Sequence, residues 1–347
     1  MATELAVRAV RERALRTREA ATTRWSAAVG PELAYTLREE SERVARAGRI
    51  TLNFHPDRVA ASGLTVAAGL LTDGRYRSQW STGISNGSRS AMPGGDRQRF
   101  ERSLFGFAYE AADAGMLELP VYGALDLLRD PHGGSPRFGS SYVVLRAHVR
   151  ARTTVCVGDS NVGPRDVGTF DACWSVLAGL AEQAATGSLL ERGLGVDGLL
   201  AVLAGTVVAE RPARRLDGYV EAQVHGGVEL ADDVESIVLD ASFAGTDVEH
   251  DLRGSAERWG FELGFHAGSE LPVADVPVDF RGPSMPEVAR RAARNDGVVD
   301  AASIGRAAAA VTIGPTHPDG DPPESPAQQL KYLWHTVLAL GHDAVAT

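Results

Sequence analysis

Three polar clusters interrupt segments of this 347-residue sequence that otherwise have the patterns of strands and helices. The first, "HPDR" at residues 55–58, follows a strand predicted at residues 50–54, where apolar and polar residues alternate as in a half-buried strand. Pro56 cannot continue a strand ladder and favours an extended His55. The histidine therefore ends the strand, where side chains usually meet solvent, a cleft or a ligand, and it is a candidate to bind or act on that ligand.

The second cluster lies in the Gly/Ser/Asn-rich stretch that follows Tyr76, and the third lies on a strand predicted at residues 218–226. In the third, Glu221, Gln223 and His225 alternate along the strand and so point to one face. Burying three polar side chains is costly unless that face lines a site or open water. The sequence thus predicts a site where the clusters converge. Its candidates from the second cluster are Gln79, Ser81, Thr82, Ser85, Asn86 and Arg97.

Each cluster also has an interpretation without a functional role. His55 could be a structural residue with satisfied hydrogen bonds, the second cluster a surface loop, and the third the solvated face of an edge strand. No HExxH, paired Cys-x-x-Cys or Walker loop occurs, so we expect no metal site, although "HPD" with distant histidines is a weaker alternative. A non-catalytic interaction module also stays open.

The composition bounds these choices. Hydrophobic residues make up 44% of the chain and charged residues 23%, which is typical of a globular protein. We expect no membrane span and no secretory signal peptide. A net charge of −10 argues against a broad nucleic-acid surface, and two cysteines do not make a disulfide framework. We expect a cytoplasmic protein, with delivery as an effector left open.

Periodicity and capping signals predict an α+β fold that positions the clusters. Helices at 2–20 and 31–47 form a helical arm, residues 1–48, and a Pro-rich linker precedes a terminal helix at 326–340. The predicted core is residues 49–247 and the C-terminal extension residues 248–347. Within the chain we further predict helices near 59–71, 97–113 and 170–185, strands at 140–149 and 234–243, a strand in "TTVCVGDS", and capping boxes at Ser284/Glu287 and Ser325/Gln328.

Several short motifs resemble a bacterial family known mainly as a domain of unknown function. They are "NFHPDR", "TGISNGSRSA", "YGAL", "SPRFGSSYVVL", "CVGDS" and "YVEAQVHG", and the resemblance covers roughly residues 49–245. It implies no particular activity.

A broader similarity is to the ADP-ribosyltransferase superfamily, in which a first strand ends in a His or Arg that contacts a ribose of NAD. A late strand carries a Glu that stabilises the oxocarbenium-like transition state. His55 matches the first element, "VAAGLLTDGRY" the following helix and turn, Tyr76 or Ser81-Thr82 the second strand, and Glu221 the late acid. The resemblance implies a mixed-sheet core that cleaves the nicotinamide–ribose bond of NAD, by ADP-ribosyl transfer or by glycohydrolysis.

This resemblance assigns roles to the candidates. Glu221 would stabilise positive charge on the sugar, His55 would position a ribose, and His225 would orient the acceptor or the acid. Tyr76 would stack on nicotinamide, and Arg58 or Arg97 would meet the pyrophosphate. Gln79, Ser81, Thr82, Asn86 and Gln223 would line the pocket. NAD would be consumed as a substrate, and the acceptor could be a protein, a nucleic acid, a small molecule or water.

Two positions depart from the superfamily pattern. Pro56 stands where a Gly usually clamps the nicotinamide amide through its backbone, and proline has no N–H to give. Ser141, on "SSYVVLRAHV", stands where that superfamily's Glu would be, so the assignment of the acid to Glu221 is an inference.

A rival interpretation starts from "TTVCVGDSNVG", which resembles the Gly-Asp-Ser motif of SGNH-type serine hydrolases with Ser160 as nucleophile. "DVEH" at residues 247–250 has the spacing of that family's Asp-x-x-His, which would supply Asp247 and His250. The family's Gly-x-Asn-Asp block does not occur in order.

Overall fold

The computed structural model describes residues 1–84, 91, 93–112, 114–206, 216–310 and 325–344. Helices and strands alternate through these ranges, which confirms the coarse prediction of a mixed α+β protein. No helix among the described residues is long and apolar enough to cross a membrane. The helices are α1 Ala2–Arg16, α2 Arg18–Val29, α3 Leu37–Ala47, α4 Val66–Asp73, α5 Gln79–Thr82, α6 Asp96–Phe105, α7 Ala108–Ala111, α8 Trp174–Ala185, α9 Val196–Leu203, α10 Leu230–Asp233, α11 Asp247–Trp259, α12 Met285–Ala292, α13 Ala301–Ala309 and α14 Pro326–Leu340.

The strands form one large sheet and two small ones. The large sheet has the order β10-β9-β4-β1-β3-β7-β5-β6, and each neighbouring pair is antiparallel except β9 and β10. The small sheets pair β2 with β8 and β11 with β12. The strands are β1 Ile50–Phe54, β2 Arg75–Tyr76, β3 Val121–Leu125, β4 Ser141–Leu145, β5 Thr153–Val157, β6 Val167–Thr169, β7 Val220–Val224, β8 Val228–Glu229, β9 Val234–Asp240, β10 Glu262–His266, β11 Glu270–Pro272 and β12 Val298–Asp300.

Strand β1 is central and buried along its whole length, not half-buried as its alternation predicts. Its two polar residues are buried because a neighbouring loop satisfies them. The Asn53 amide nitrogen donates to the backbone oxygens of His132 and Gly139, at 2.8 and 3.1 Å. The Thr51 hydroxyl accepts the Gly134 N–H at 2.9 Å. These bonds fix the loop 132–139 against β1, and that loop carries Arg137 into the site described below.

The sheet splits beside β1. Strands β1 and β3 pair at two positions, Ile50↔Leu125 and Thr51↔Ala124, whereas β1 continues to pair with β4 as far as Phe54. Past the split, β3 supplies no ladder partner to β1, so the backbone edge that faces the gap is open to a side chain or a ligand.

Helices from both ends of the chain cover the sheet. Helix α1 presents Ala2, Ala6 and Val10 at a helical spacing to a small apolar core that also holds Phe105 and Val167. Helix α2 packs on α8 over the main core. The N-terminal arm is therefore a helical layer on the sheet. Its first helix ends at Arg16 and a second begins at Arg18, where the sequence predicts one helix over 2–20.

The C-terminal part shares the same architecture. The predicted boundary at residue 247 falls between β9 and β10, which pair with each other in the large sheet. Helix α14 has the predicted bounds, and the Ser325 hydroxyl accepts the Gln328 N–H, as the capping signal predicts. At α12, in contrast, Ser284 makes no side-chain cap bond. The box instead forms at α13, between Asp300 and Ser303.

Several predicted elements differ in extent. The helix expected near 59–71 begins at Val66, the helix expected near 170–185 begins at Trp174, and the strands expected at 140–149 and 234–243 end at Leu145 and Asp240. The helix expected near 97–113 ends at Phe105, because Gly106 takes a positive φ of 65° that continues no helix, and Phe107 is left 68% exposed. For residues 76–97 the sequence predicts a strand that becomes a loop, but the strand β2 ends at Tyr76 and a helical turn follows at Gln79–Thr82.

Candidate active site

A cleft of about 320 Å³ opens at the split between β1 and β3. The residues past the split on both strands line it, together with α4, α5, the start of α6, the loop 135–138 and the turn 159–161. Most of the predicted site residues converge here. Those that line the cleft are His55, Arg58, Tyr76, Gln79, Ser81, Thr82, Arg97, Ser160 and Glu221.

Four predicted residues do not line the cleft: Gln223, His225, Asp247 and His250. Gln223 and His225 lie on the same strand and the same face as Glu221 but are 1% and 0% exposed. Helices α6 and α7 cover the end of the face that carries His225, so Gln223 and His225 are neither solvated nor open to a ligand. Ser85 and Asn86 lie outside the described residues.

Glu221 is a buried carboxyl in the wall of the cleft. The Gln223 amide donates to its Oε1 at 2.9 Å, and the Ser160 N–H approaches its Oε2 at 3.4 Å. Burial, reinforced by the negative charge of Asp159, raises the pKa of Glu221 to about 7. Near neutral pH this carboxyl therefore exists in both protonation states, which suits a group that stabilises charge or moves a proton.

A directed chain of hydrogen bonds supports Glu221 from behind. Thr154 donates its hydroxyl proton to Gln223 Oε1 at 2.7 Å, so its oxygen accepts from His225 Nε2 at 3.0 Å. That places the imidazole proton on Nε2 and leaves Nδ1 to accept the Tyr109 hydroxyl, 2.5 Å away. Burial and the nearby Arg152 lower the pKa of His225 to about 3, so the ring is neutral. Every donor in the chain points toward Glu221, and His225 is a positioning residue rather than a ligand contact.

The Thr154→Val substitution tests this chain. It keeps the side-chain shape but leaves the His225 Nε2–H and the Gln223 oxygen without partners, so we expect the free energy of unfolding to fall by about 2–4 kcal/mol. Thr153→Val is the matched control, because Thr153 is equally buried and its hydroxyl makes a local bond to the Val149 oxygen. Urea denaturation of both variants measures the free energy of unfolding. An equal loss in Thr154→Val and Thr153→Val would contradict a connected chain of hydrogen bonds.

A second buried carboxyl, Glu101 on α6, was missed in the sequence. The Tyr122 hydroxyl donates to its Oε1 at 2.8 Å and the Trp80 indole N–H at 3.3 Å. Burial raises the pKa of Glu101 to about 7. The available signal was its spacing of four from Arg97 on a predicted helix, which puts both residues on one face.

Arg97 lies beside this second carboxyl, and its buried Nε has no hydrogen-bond partner among the described residues. Its guanidinium lies 3.9 Å from Glu101 and over the rings of Tyr122 and Phe100, at 4.7 and 5.4 Å from their centroids. With a side chain only 8% exposed, it belongs to the wall of the cleft. The pyrophosphate contact that the sequence allowed for Arg97 stays a prediction.

His55 stands at the end of β1 and faces the cleft. Its ring meets the Trp334 indole edge-on, with centroids 5.6 Å apart, and Trp334 donates its indole N–H to the Pro136 oxygen at 3.0 Å. Burial, aided by the charge of Arg58, lowers the pKa of His55 to about 3. The imidazole is therefore neutral at physiological pH and can exchange hydrogen bonds with a hydroxyl-bearing ligand.

The serine-hydrolase arrangement does not form. The Ser160 hydroxyl is buried, and the titratable group that it adjoins is Glu221. Asp247 and His250 are exposed on α11 and do not line the cleft. The Asp-x-x-His pair therefore supplies neither base nor orienter in the cleft, and the interpretation that combines it with Ser160 loses its geometric basis.

The remaining candidate residues have structural surroundings. Ser141 is fully buried in β4, and its hydroxyl accepts the Asp240 N–H at 3.1 Å, so it joins β4 to β9. Cys156 and Cys173 are buried free thiols. No cluster of three or more His, Cys, Asp or Glu suited to a metal ion occurs in the part of the chain that the structure describes.

The fold and the cleft thus define an α+β protein with a split, mainly antiparallel sheet and a buried acid at the split. The chain belongs to the family described as "Protein of unknown function (DUF3626)", whose model matches residues 49–339. This confirms the resemblance seen in the short motifs and extends it through α14. The chain is also similar to the "Gene 2 protein" of Mycobacterium phage L5, with 28% identity over 178 residues. The match covers 49% of this chain and 60% of the phage protein.

Proposed function

We propose that this protein cleaves the bond between nicotinamide and ribose in NAD, as an ADP-ribosyltransferase or an NAD glycohydrolase. The observation that carries the proposal is that His55 and Glu221, matched to the superfamily from opposite ends of its motif, line one cleft. Breaking this bond builds positive charge on the sugar, and a preplaced carboxylate is the strongest available stabiliser of that charge.

The strand register adds a constraint on the ligand. Glu221 is level with Thr51, because Thr51 pairs with Ala124 and Ala124 pairs with Glu221. His55 lies four residues further along β1, about 13 Å at the rise of an extended strand. A ligand that touches both residues is therefore elongated, which favours a dinucleotide with two riboses over a single nucleoside. In this arrangement Glu221 faces the nicotinamide ribose and His55 the other ribose.

The remaining cleft residues have supporting roles in the proposal. Tyr76, which packs edge-on against Phe54 with centroids 5.8 Å apart, presents an aromatic side chain to nicotinamide. Gln79 and Ser81 each have a buried side-chain oxygen without a partner among the described residues, and both line the cleft. A ligand amide or hydroxyl would satisfy these atoms. The same core would then be an ADP-ribosyltransferase-like one.

The deciding experiment measures nicotinamide release from NAD by the purified protein, beside His55→Ala and Ser160→Ala. We expect turnover in the parent, a loss of at least about 100-fold in His55→Ala from lost positioning, and little change in Ser160→Ala. Absence of both NAD binding and turnover in the parent overturns the proposal. NAD binding without turnover would instead favour a non-catalytic module, and an ester screen would follow a loss confined to Ser160→Ala.

A further inference from the structure

Positive side chains from three separate segments meet beside the cleft. Trp334 ties α14 to the loop 132–139 through its bond to the Pro136 oxygen. Lys331 lies three residues before Trp334, so it is on the same side of the helix and faces the segment that carries Arg137. The Arg281 guanidinium lies 5.6 Å from the ring centroid of Tyr332, the next residue of α14.

These cations are only partly compensated. Burial and the charges of Arg137, Arg281 and Arg58 lower the pKa of Lys331, the single lysine of the chain, to about 8. Among the described residues Asp217 pairs with Arg137, and Asp159 acts on Lys331 in the opposite sense. The protein as a whole carries −10, so this concentration of positive charge runs against its overall charge. Repulsion of this kind costs stability unless an anion offsets it.

Buried donors in the same place also lack partners. The Nε atoms of Arg137 and Arg281 are buried without a hydrogen-bond partner among the described residues. The Tyr219 side chain is 5% exposed and packs edge-on against Phe138, and its hydroxyl is likewise unpartnered within the described ranges. Three orphaned polar groups in one region indicate that a polar ligand completes it.

We propose that Arg137, Arg281 and Lys331 form a phosphate-binding site continuous with the cleft through Arg137 and Arg58. Guanidinium groups bind phosphoryl oxygens in pairs, and an ammonium adds a point charge, so a diphosphate matches this set of donors. The identity of the ligand as the diphosphate of a dinucleotide rests on the function proposed above. The site adds to Arg58 and Arg97, the cations that the sequence allowed for the pyrophosphate, and it brings α14 into ligand binding.

The first test is a calorimetric titration with inorganic pyrophosphate. The parent should bind, and Lys331→Met and Arg137→Gln should each bind at least about tenfold more weakly, because each loses a charge-assisted contact. Lys331→Arg should stay within about threefold of the parent, which separates loss of charge from loss of fold. Arg38→Gln removes a charge from an 82% exposed side chain on α3 and should bind as the parent does.

Two results of this titration overturn the site. One is a parent that does not bind millimolar pyrophosphate. The other is an Arg38→Gln variant weakened as much as Lys331→Met, since the effect would then be the net charge of the protein alone.

A second measurement separates this site from the proposed reaction. Nicotinamide riboside has the same bond to nicotinamide as NAD but no phosphate. Lys331→Met should raise the KM for NAD about tenfold and leave nicotinamide release from the riboside unchanged, as expected for a contact made to phosphate alone. Pyrophosphate binding without turnover of either compound keeps the site and overturns the reaction. Turnover of NAD without pyrophosphate binding would keep the reaction and overturn the phosphate-binding site.

Discussion

The Glu221→Gln variant is expected to release nicotinamide from NAD about 10³-fold more slowly than the parent protein. The substitution keeps the size of the side chain and its hydrogen bond from Gln223 but removes the negative charge. Loss of one preorganised electrostatic group at a developing charge costs on the order of 10²–10³ in kcat. Steady-state rates at saturating NAD measure it.

The matched control is Glu101→Gln. Glu101 is buried to the same degree as Glu221, and its pKa is raised to about 7 for the same reason, but it does not line the cleft. We expect its activity to fall by less than about tenfold. Equal losses in the two variants would contradict the role assigned to Glu221.

The same carboxyl sets a pH dependence. Activity that needs the ionised form should rise as pH increases through about 7, the pKa of Glu221 in the folded protein. Stability moves the other way. Because the folded pKa is above the ordinary value of 4.5, ionisation costs folding free energy, and this cost grows as pH rises from about 4.5 to 7. The stability of Glu221→Gln relative to the parent should therefore increase as pH rises from about 4.5 to 7 and stay constant above that range.

The Trp334→Ala variant is expected to lose about 3–5 kcal/mol of unfolding free energy, the usual cost of removing a large buried aromatic side chain. Trp334 is 1% exposed and joins three parts of the molecule, since α14 carries it, its N–H reaches Pro136 and its ring supports His55. Because His55 loses the contact with the indole ring, the folded Trp334→Ala protein should also have a lower kcat/KM for NAD than the parent.

Trp334→Phe divides the two contributions. It keeps an aromatic ring against His55 and loses the bond to Pro136, so the unfolding free energy should fall by a smaller amount, about 1–3 kcal/mol. Guanidinium denaturation measures both variants. A Trp334→Ala protein as stable as the parent would show that α14 is not anchored through this residue.

Sequence signals that act over a few residues predicted the ends of individual strands and helices. The bounds of β1 and α14 follow from β-branched residues before a proline and from a capping serine before a proline, and both are as predicted. Alternation placed Glu221, Gln223 and His225 on one face of β7, but alternation cannot say what covers that face. Helices α6 and α7 do, so two of the three side chains became supports for the third.

Contacts between residues that are far apart in the chain could not be predicted from the sequence. The split between β1 and β3 depends on the order of strands in the sheet, which no single segment records. Glu101 becomes notable only because Tyr122 and Trp80, each 21 positions away, donate to it. Arg281 and Lys331 likewise gain meaning only when α14 lies against the loop that carries Arg137.

The contact between His55 and Trp334 has a consequence for the order in which the protein is made. The strands that carry His55 and Glu221 are synthesised well before α14, and Trp334 follows His55 by 279 positions. A nascent chain that has not reached α14 holds its histidine without the indole that supports it. The cleft is therefore completed only after α14 has been synthesised, and a translation product interrupted before α14 would carry an unfinished site.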